Sequence, residues 1–115
     1  MNTIVLSGKP ISTQHAYKQH GKIRFMTNEA KALKEQYQWE AKSQWKGKPL
    51  IEDLKVKVSL YFGDKRVRDW DNWHKITMDA LTGIVWVDDS QIKEAVVIMH
   101  YDKEKPRIEI NVTNL

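Results

Sequence analysis

The nine residues from Leu54 to Phe62 constrain the fold more than any other stretch. Leu54, Val56, Val58, Leu60 and Phe62 alternate with Lys55, Lys57, Ser59 and Tyr61. Successive side chains of an extended chain point to opposite faces, so this pattern predicts a strand over 54–62 with its apolar face turned to a core. Gly63-Asp64 then opens a turn or loop. The other segments are read around this strand. Asn2 to Ser7 reads as a first strand, stopped by Gly8-Lys9-Pro10. His15 to Met26 reads as a short hairpin around His20-Gly21-Lys22. Thr27 is a good N-cap, with Glu29 in the following turn, and Ala30, Leu33, Tyr37, Ala41 and Trp45 recur at helical spacing; a helix is expected from Asn28 to Gln44, ended by Gly47 and Pro49. Asp71 or Asn72 caps a second expected helix running to Leu81, stopped by Gly83. Ile84 to Val87 is a short apolar strand, Glu94 to Tyr101 is β-rich, and Arg107 to Val112 alternates again. The order β, hairpin, α, β, α, β, β predicts an α+β fold, a mixed and mostly antiparallel sheet with two main helices packed on it, as a single domain over residues 1–115.

Charge is unevenly distributed. The chain of 115 residues carries 19 Lys and Arg against 15 Asp and Glu, a net of +4. Asp69 to Lys93 holds five acids (Asp69, Asp71, Asp79, Asp88, Asp89) and two bases (Lys75, Lys93), a local net of −3 that leaves +7 for the rest. Met1 to Asn28 has no acid but contains Lys9, Lys18, Lys22 and Arg24, and Lys65-Arg66-Val67-Arg68 stands just before the acidic segment. A basic surface around an acidic pocket suits a protein that holds phosphates and places cations among them. No apolar run reaches the roughly 18 residues of a membrane span, no signal peptide is visible, and no cysteine is present to form disulfides or cysteine-ligated zinc sites. A cytoplasmic location is expected, with no membrane partner.

Asp69 and Asp71 are two residues apart and would share a side of an extended chain, about 6.6 Å apart at roughly 3.3 Å per residue. A hard divalent cation takes carboxylate oxygens and keeps waters in its other positions. One of Asp88 and Asp89 is the candidate third ligand, because neighbours in a strand point to opposite faces. Lys75 lies four residues after Asp71 and four before Asp79, so on a helix the three share a face. Lys75 then offsets carboxylate repulsion or holds a phosphate, and Asp79 orients it. Against this stand plainer readings: an exposed salt-bridge ladder for Asp71-Lys75-Asp79, and a turn for Asp88-Asp89. Trp39, Trp45 and Trp73 are expected in the core or at a dimer interface, and Trp70 is expected to pack away from the metal. The four histidines show no metal-ligand spacing, and His74 is read as an exposed helix residue.

The segment resembles the core motif of the RusA-like crossover junction endodeoxyribonucleases. That motif is a basic stretch, Asp-x-Asp-Asn, a Lys three residues on, Asp-Ala-Leu, a Gly-containing loop and Asp-Asp followed by Gln. Here it reads Arg66-Val67-Arg68, Asp69-Trp70-Asp71-Asn72, Lys75, Asp79-Ala80-Leu81, Gly83, Asp88-Asp89 and Gln91. The resemblance implies a homodimer that binds four-way (Holliday) junctions by structure and resolves them by paired symmetric nicks with Mg2+, for which Mn2+ would substitute, and with no organic cofactor. It implies Asp69, Asp71 and Asp89 as metal-binding catalytic residues and Lys75 as the catalytic lysine, with Asp79 and Asp88 outside the ligand set. Lys65, Arg66 and Arg68 are the expected phosphate contacts beside the pocket, and Lys18, Lys22 and Arg24 those for another arm of the junction. The family's Pro-Pro-Ser followed by Asn and Tyr is altered to Lys9-Pro10-Ile11-Ser12, then Thr13, Gln14 and Tyr17, which leaves the N-terminal DNA contacts open. Two alternatives stand beside this reading: a junction-binding module without catalysis, and a metal-dependent nuclease acting on other branched DNA.

Overall fold

The computed structural model describes residues 2–115. Its order is β1 (Thr3–Ser7), α1 (Thr13–Ala16), β2 (Tyr17–His20), β3 (Ile23–Met26), α2 (Asn28–Gln44), β4 (Leu54–Phe62), α3 (Lys75–Leu81), β5 (Ile92–Tyr101) and β6 (Arg107–Asn114). The main sheet runs β1-β6-β4-β5. β1 pairs with β6 and β6 with β4 antiparallel, while β4 and β5 run parallel. A parallel pair needs a crossover connection. Here the crossover is the acidic segment itself, with α3 inside it. β2 and β3 form a separate hairpin. The sheet is therefore mixed and mostly antiparallel, as the order of elements predicts.

β4 is the centre of this arrangement. Leu54, Val56, Val58, Leu60 and Phe62 are all buried, together with Ile108, Ile110 and Val112 of β6 and Ile4 and Leu6 of β1. α2 and α3 contribute Ala30, Tyr37, Ala41, Ile76, Ala80 and Leu81 to the same core. Truncating a fully buried leucine such as Leu60 to alanine would cost about 2–5 kcal/mol. α2 begins and ends where its caps predict: the Thr27 side chain accepts from the Ala30 amide, and Trp45 closes the last turn.

The two outer edges of the sheet are treated differently. On β1, the free edge is bonded by side chains of α2. The Val5 amide donates to Gln44 Oε1 (2.7 Å), and Gln44 Nε2 donates to the Val5 carbonyl (2.8 Å). The Ser7 amide and hydroxyl donate to the Glu40 carboxylate, and Gln36 Nε2 donates to the Ser7 carbonyl. No helix lies along β5.

Three expectations change. The second helix starts at Lys75, not at Asp71 or Asn72. Trp73 Nε1 donates back to the Asp69 carbonyl and His74 Nε2 to the Trp70 carbonyl, both at 2.7 Å, and the Asn72 carbonyl accepts from Thr13 N. Residues 69–74 therefore fold into a pinned loop, and neither Asp71 nor Asn72 caps a helix; His74 stands at that position without a side-chain cap bond. Residues 84–87 form no ladder strand. Val85 and Trp86 are buried, and Trp86 makes only isolated bridges to Leu50 and Thr82. Among the tryptophans, Trp73 packs edge-on to Phe62 at 4.9 Å, but Trp39 and Trp70 are 74% and 61% exposed and lie outside the core. A short helix, α1, precedes the hairpin and is capped by Ser12.

Candidate nuclease site

Of the five acids between Asp69 and Lys93, two are engaged by the fold. Asp79 accepts a 2.6 Å hydrogen bond from the Tyr17 hydroxyl and, on the same oxygen, pairs with Lys75 Nζ at 3.3 Å. Asp88 caps a 3-10 turn over Asp89–Gln91: its carboxylate accepts from the Ser90 amide while the Gln91 side chain accepts from the Asp88 amide. Gln91 Nε2 also donates to the carbonyls of Leu50 and Glu52, which ties this turn to the segment before β4. The Ser90 amide holds the Asp88 carboxyl below its ordinary range, the usual effect of donating to the charged form.

Asp69, Asp71 and Asp89 are the other three. All are exposed, and no amide, hydroxyl or basic group of the described residues bonds their carboxylates; the Asp89 carboxyl lies against that of its neighbour Asp88. Their hard oxygen donors suit a cation of the magnesium class. Among the described residues no three carboxylate or imidazole groups converge closely enough to hold a metal ion. Asp69 and Asp71 are carried by an irregular loop that turns at Trp70-Asp71, so the extended geometry expected for Asp-x-Asp does not hold there.

Lys75 opens α3 beside this loop. Besides Asp79, its ammonium lies 5.3 Å from the centre of the Tyr17 ring, and the Arg24 guanidinium sits 5.2 Å from the same ring. Tyr17 thus ties hairpin, helix and lysine together. Burial, then the bond to Asp79 and its charge, push the Tyr17 hydroxyl well above the ordinary phenol range and keep it a donor. Tyr17 lies 62 residues from Asp79, so no local spacing could reveal the contact. In the sequence it appears only as the aromatic of an altered N-terminal motif.

The cationic residues divide in a way the sequence does not show. Arg68 is 14% exposed, bonds Asp64 at 2.7 Å and lies over the rings of Phe62 (4.1 Å) and Trp73 (5.8 Å). It bolts the loop down through that carboxylate and those rings. Arg66 also bonds Asp64, at 3.2 Å, but is 79% exposed. The Arg66 amide, then the two guanidinium groups, hold the Asp64 carboxyl well below the usual carboxylate range. Lys65 lies 4.9 Å from the Tyr101 ring. Lys18, Lys22 and Arg24 are exposed on the hairpin, whose Gly21 turn adopts φ +62°. A groove of about 850 Å³ runs between Lys9–Ser12, α2 and the loop from Phe62 to Trp73, with Lys9, His15, Arg66 and Arg68 on its walls.

The fold and site define an α+β domain that presents unengaged carboxylates among exposed bases. The family described as Endodeoxyribonuclease RusA matches residues 7–113, and the chain belongs to that family. Crossover junction endodeoxyribonucleases of Enterobacteria phage 82 and Escherichia coli strain K12 are each 32% identical to it over 63 residues, 54% of this chain and 52% of theirs. The enzyme of the same name from Shigella sonnei matches to the same extent. The chain spans about half the length of these curated relatives. No helix of the described residues is long and apolar enough to cross a membrane.

Proposed function

We propose that the chain is a divalent-cation-dependent endonuclease that resolves four-way DNA junctions by paired nicks, two copies acting on one junction. The observation that carries this reading is the sorting of the acids. Asp79 and Asp88 accept hydrogen bonds from within the protein, whereas Asp69, Asp71 and Asp89, the residues matching the family's carboxylate positions, take none from an amide, hydroxyl or basic group, Asp89 lying only against the Asp88 carboxyl. These three would hold Mg2+, or Mn2+ in its place. When bound, the cation would supply an ionised water near neutral pH and offset phosphate charge.

The chain's own residues do the rest. Lys75, steered by Asp79 and the Tyr17 ring, donates to the scissile phosphate and stabilises the charge that develops there. Asp79 keeps that ammonium aimed. Lys65 and Arg66 hold flanking phosphates, and Lys18, Lys22 and Arg24 grip a second arm. Such contacts position a backbone without reading its sequence, which suits recognition by shape. A two-fold pair of subunits matches a junction with two equivalent cuts.

One assay tests the reading against its rivals. Labelled four-way junction, replication fork, flap, duplex, single strand and RNA are incubated with the protein and Mg2+. Preferential paired incision of the junction is expected. Tight junction binding without incision would favour a binding module, and equal cutting of forks or flaps would favour a broader branched-DNA nuclease.

A further inference from the structure

We infer that Trp70 is a selectivity residue: its indole stacks on a nucleobase left without a stacking neighbour at the branch point, beside the phosphate to be cut. The inference rests on the proposed cation position at Asp69, Asp71 and Asp89. It goes beyond that reading by naming the group that tells a branch from a plain duplex.

A single exposed aromatic is ordinary on a protein surface, so exposure alone carries nothing. The surroundings of Trp70 carry the argument. Trp45, Trp73 and Trp86 each donate the indole N–H to an acceptor within the protein. Trp39 is exposed, but Lys42 lies 5.8 Å from its ring. Trp70 is 61% exposed; among the described residues its indole N–H has no acceptor and no cation lies over its ring. Its one aromatic neighbour, His74, stands 6.4 Å away, tilted by 43°, and does not stack on it.

The loop that carries this indole is nevertheless fixed. The Asp69 carbonyl accepts from Trp73 Nε1, and the carbonyl of Trp70 itself bonds His74 Nε2, both at 2.7 Å. These bonds reach the backbone, so the loop is held without using the Trp70 side chain. An aromatic presented in advance on a fixed loop costs less to order on binding. Its place is also specific. Asp69 and Asp71 are its chain neighbours, with consecutive Cα atoms about 3.8 Å apart. A phosphate drawn to a cation at those carboxylates brings its own nucleotide up to the indole.

The chemistry of that meeting favours branched DNA. Inside an uninterrupted duplex every base is stacked on both faces, and freeing one is costly; the cost is least for a base already unpaired. At an exchange point the stack is interrupted. An aromatic side chain accepts any base there, because every base has a π-face, and it reads no hydrogen-bonding edge. Phosphate contacts from Lys65 and Arg66 act on branch and arm alike. Trp70 therefore supplies a preference for structure that the bases around it do not.

A four-way junction and a linear duplex of the same arm sequence are bound in Ca2+, a hard cation that takes the same oxygen donors, and incision is not read. Fluorescence anisotropy gives both affinities for the wild type, Trp70→Ala, Trp70→Phe and, as a control on another exposed tryptophan, Trp39→Ala. Circular dichroism checks folding. In parallel, 5-iododeoxyuridine is placed beside the exchange point or in the middle of an arm, the wild-type complex is irradiated, and the cross-linked peptide is sequenced. Folded Trp70→Ala should lose at least about fivefold in junction affinity, the low end for one base–aromatic stack, with duplex affinity unchanged. Trp70→Phe should keep most of the preference, and Trp39→Ala all of it. The cross-link should fall on Trp70 from the position beside the exchange point and not from mid-arm. Folded Trp70→Ala that keeps the wild-type junction preference, or weakens junction and duplex equally, overturns the inference. So does a cross-link to Trp70 that is absent, or equal from both positions. In each of these cases the wild-type preference for the junction stands, and the proposed function with it. A wild type that binds junction and duplex equally overturns the junction reading itself, and the inference falls with it.

Discussion

Tyr17 and Asp79 link the N-terminal hairpin to the helix that carries Lys75, and a double-mutant cycle measures that link. Tyr17→Phe removes the hydroxyl but keeps the ring beside Lys75 and Arg24. Asp79→Ala removes the acceptor of both the 2.6 Å hydroxyl bond and the 3.3 Å lysine pair. A hydrogen bond to a charged group contributes about 1.5–3 kcal/mol. The Asp79 side chain is 29% exposed, so water competes for it, and a coupling of about 1–2 kcal/mol is expected at neutral pH. The assay is urea unfolding of the wild type, the two single variants and the double variant, followed by circular dichroism. The same cycle repeated above pH 10 adds a second reading. The folded-state affinity of the Tyr17 hydroxyl for its proton is raised, so its contribution is fully present below the unfolded value of about 10 and is lost as pH rises past it. Tyr37, whose hydroxyl is raised by burial and then by Glu40, adds to that alkaline loss in every variant and cancels in the comparison. A coupling below about 0.5 kcal/mol, within the scatter of independent sites, would refute the linkage.

Four further outcomes follow from the same geometry. Asp64 has a depressed folded-state pKa, so its stabilisation of the loop is present above about pH 4 and lost as pH falls below it; Asp64→Asn should flatten the acid limb of a melting-temperature profile between pH 2 and 5. Arg68→Ala should lower the melting temperature, because it empties the space over Phe62 and Trp73. Exposed Arg66→Ala should leave the melting temperature unchanged and reduce the salt dependence of junction binding by about one phosphate contact, read by fluorescence anisotropy across a salt series. Asp88→Ala should lower the melting temperature by removing the cap of the 89–91 turn while leaving junction affinity unaltered.

Local patterns were the legible part of this chain. The alternation of 54–62 and the caps of 28–44 act within a few residues, and both elements appear with the boundaries their patterns predict. The edge character of β5 was not legible, since strand order depends on contacts between distant segments. The helix start was misread for a related reason. Asp71 and Asn72 are good capping types, but the side chains of Trp73 and His74 bond back to the loop carbonyls and delay the helix to Lys75. At the site, residue types and spacing pointed to five acids and a lysine. Which acids are engaged depends on partners far along the chain: Tyr17 for Asp79, and a turn tied to Leu50 and Glu52 through Gln91 for Asp88. The burial of Arg68 was not legible, because charge in sequence does not reveal it. The structure places the side chain between two rings and a carboxylate.

The central claim is that the three carboxylates without a protein donor, Asp69, Asp71 and Asp89, are the ones that cutting requires. Its most direct test is incision of a synthetic four-way junction in Mg2+ by Asp69→Asn, Asp71→Asn, Asp88→Asn and Asp89→Asn, with junction affinity measured alongside. The account predicts that the variants at Asp69, Asp71 and Asp89 bind the junction normally and lose at least the roughly 10–100-fold that even a supporting residue of a metal site costs. Asp88→Asn should keep most of the wild-type rate. An inactive Asp88→Asn beside an active Asp89→Asn would contradict it.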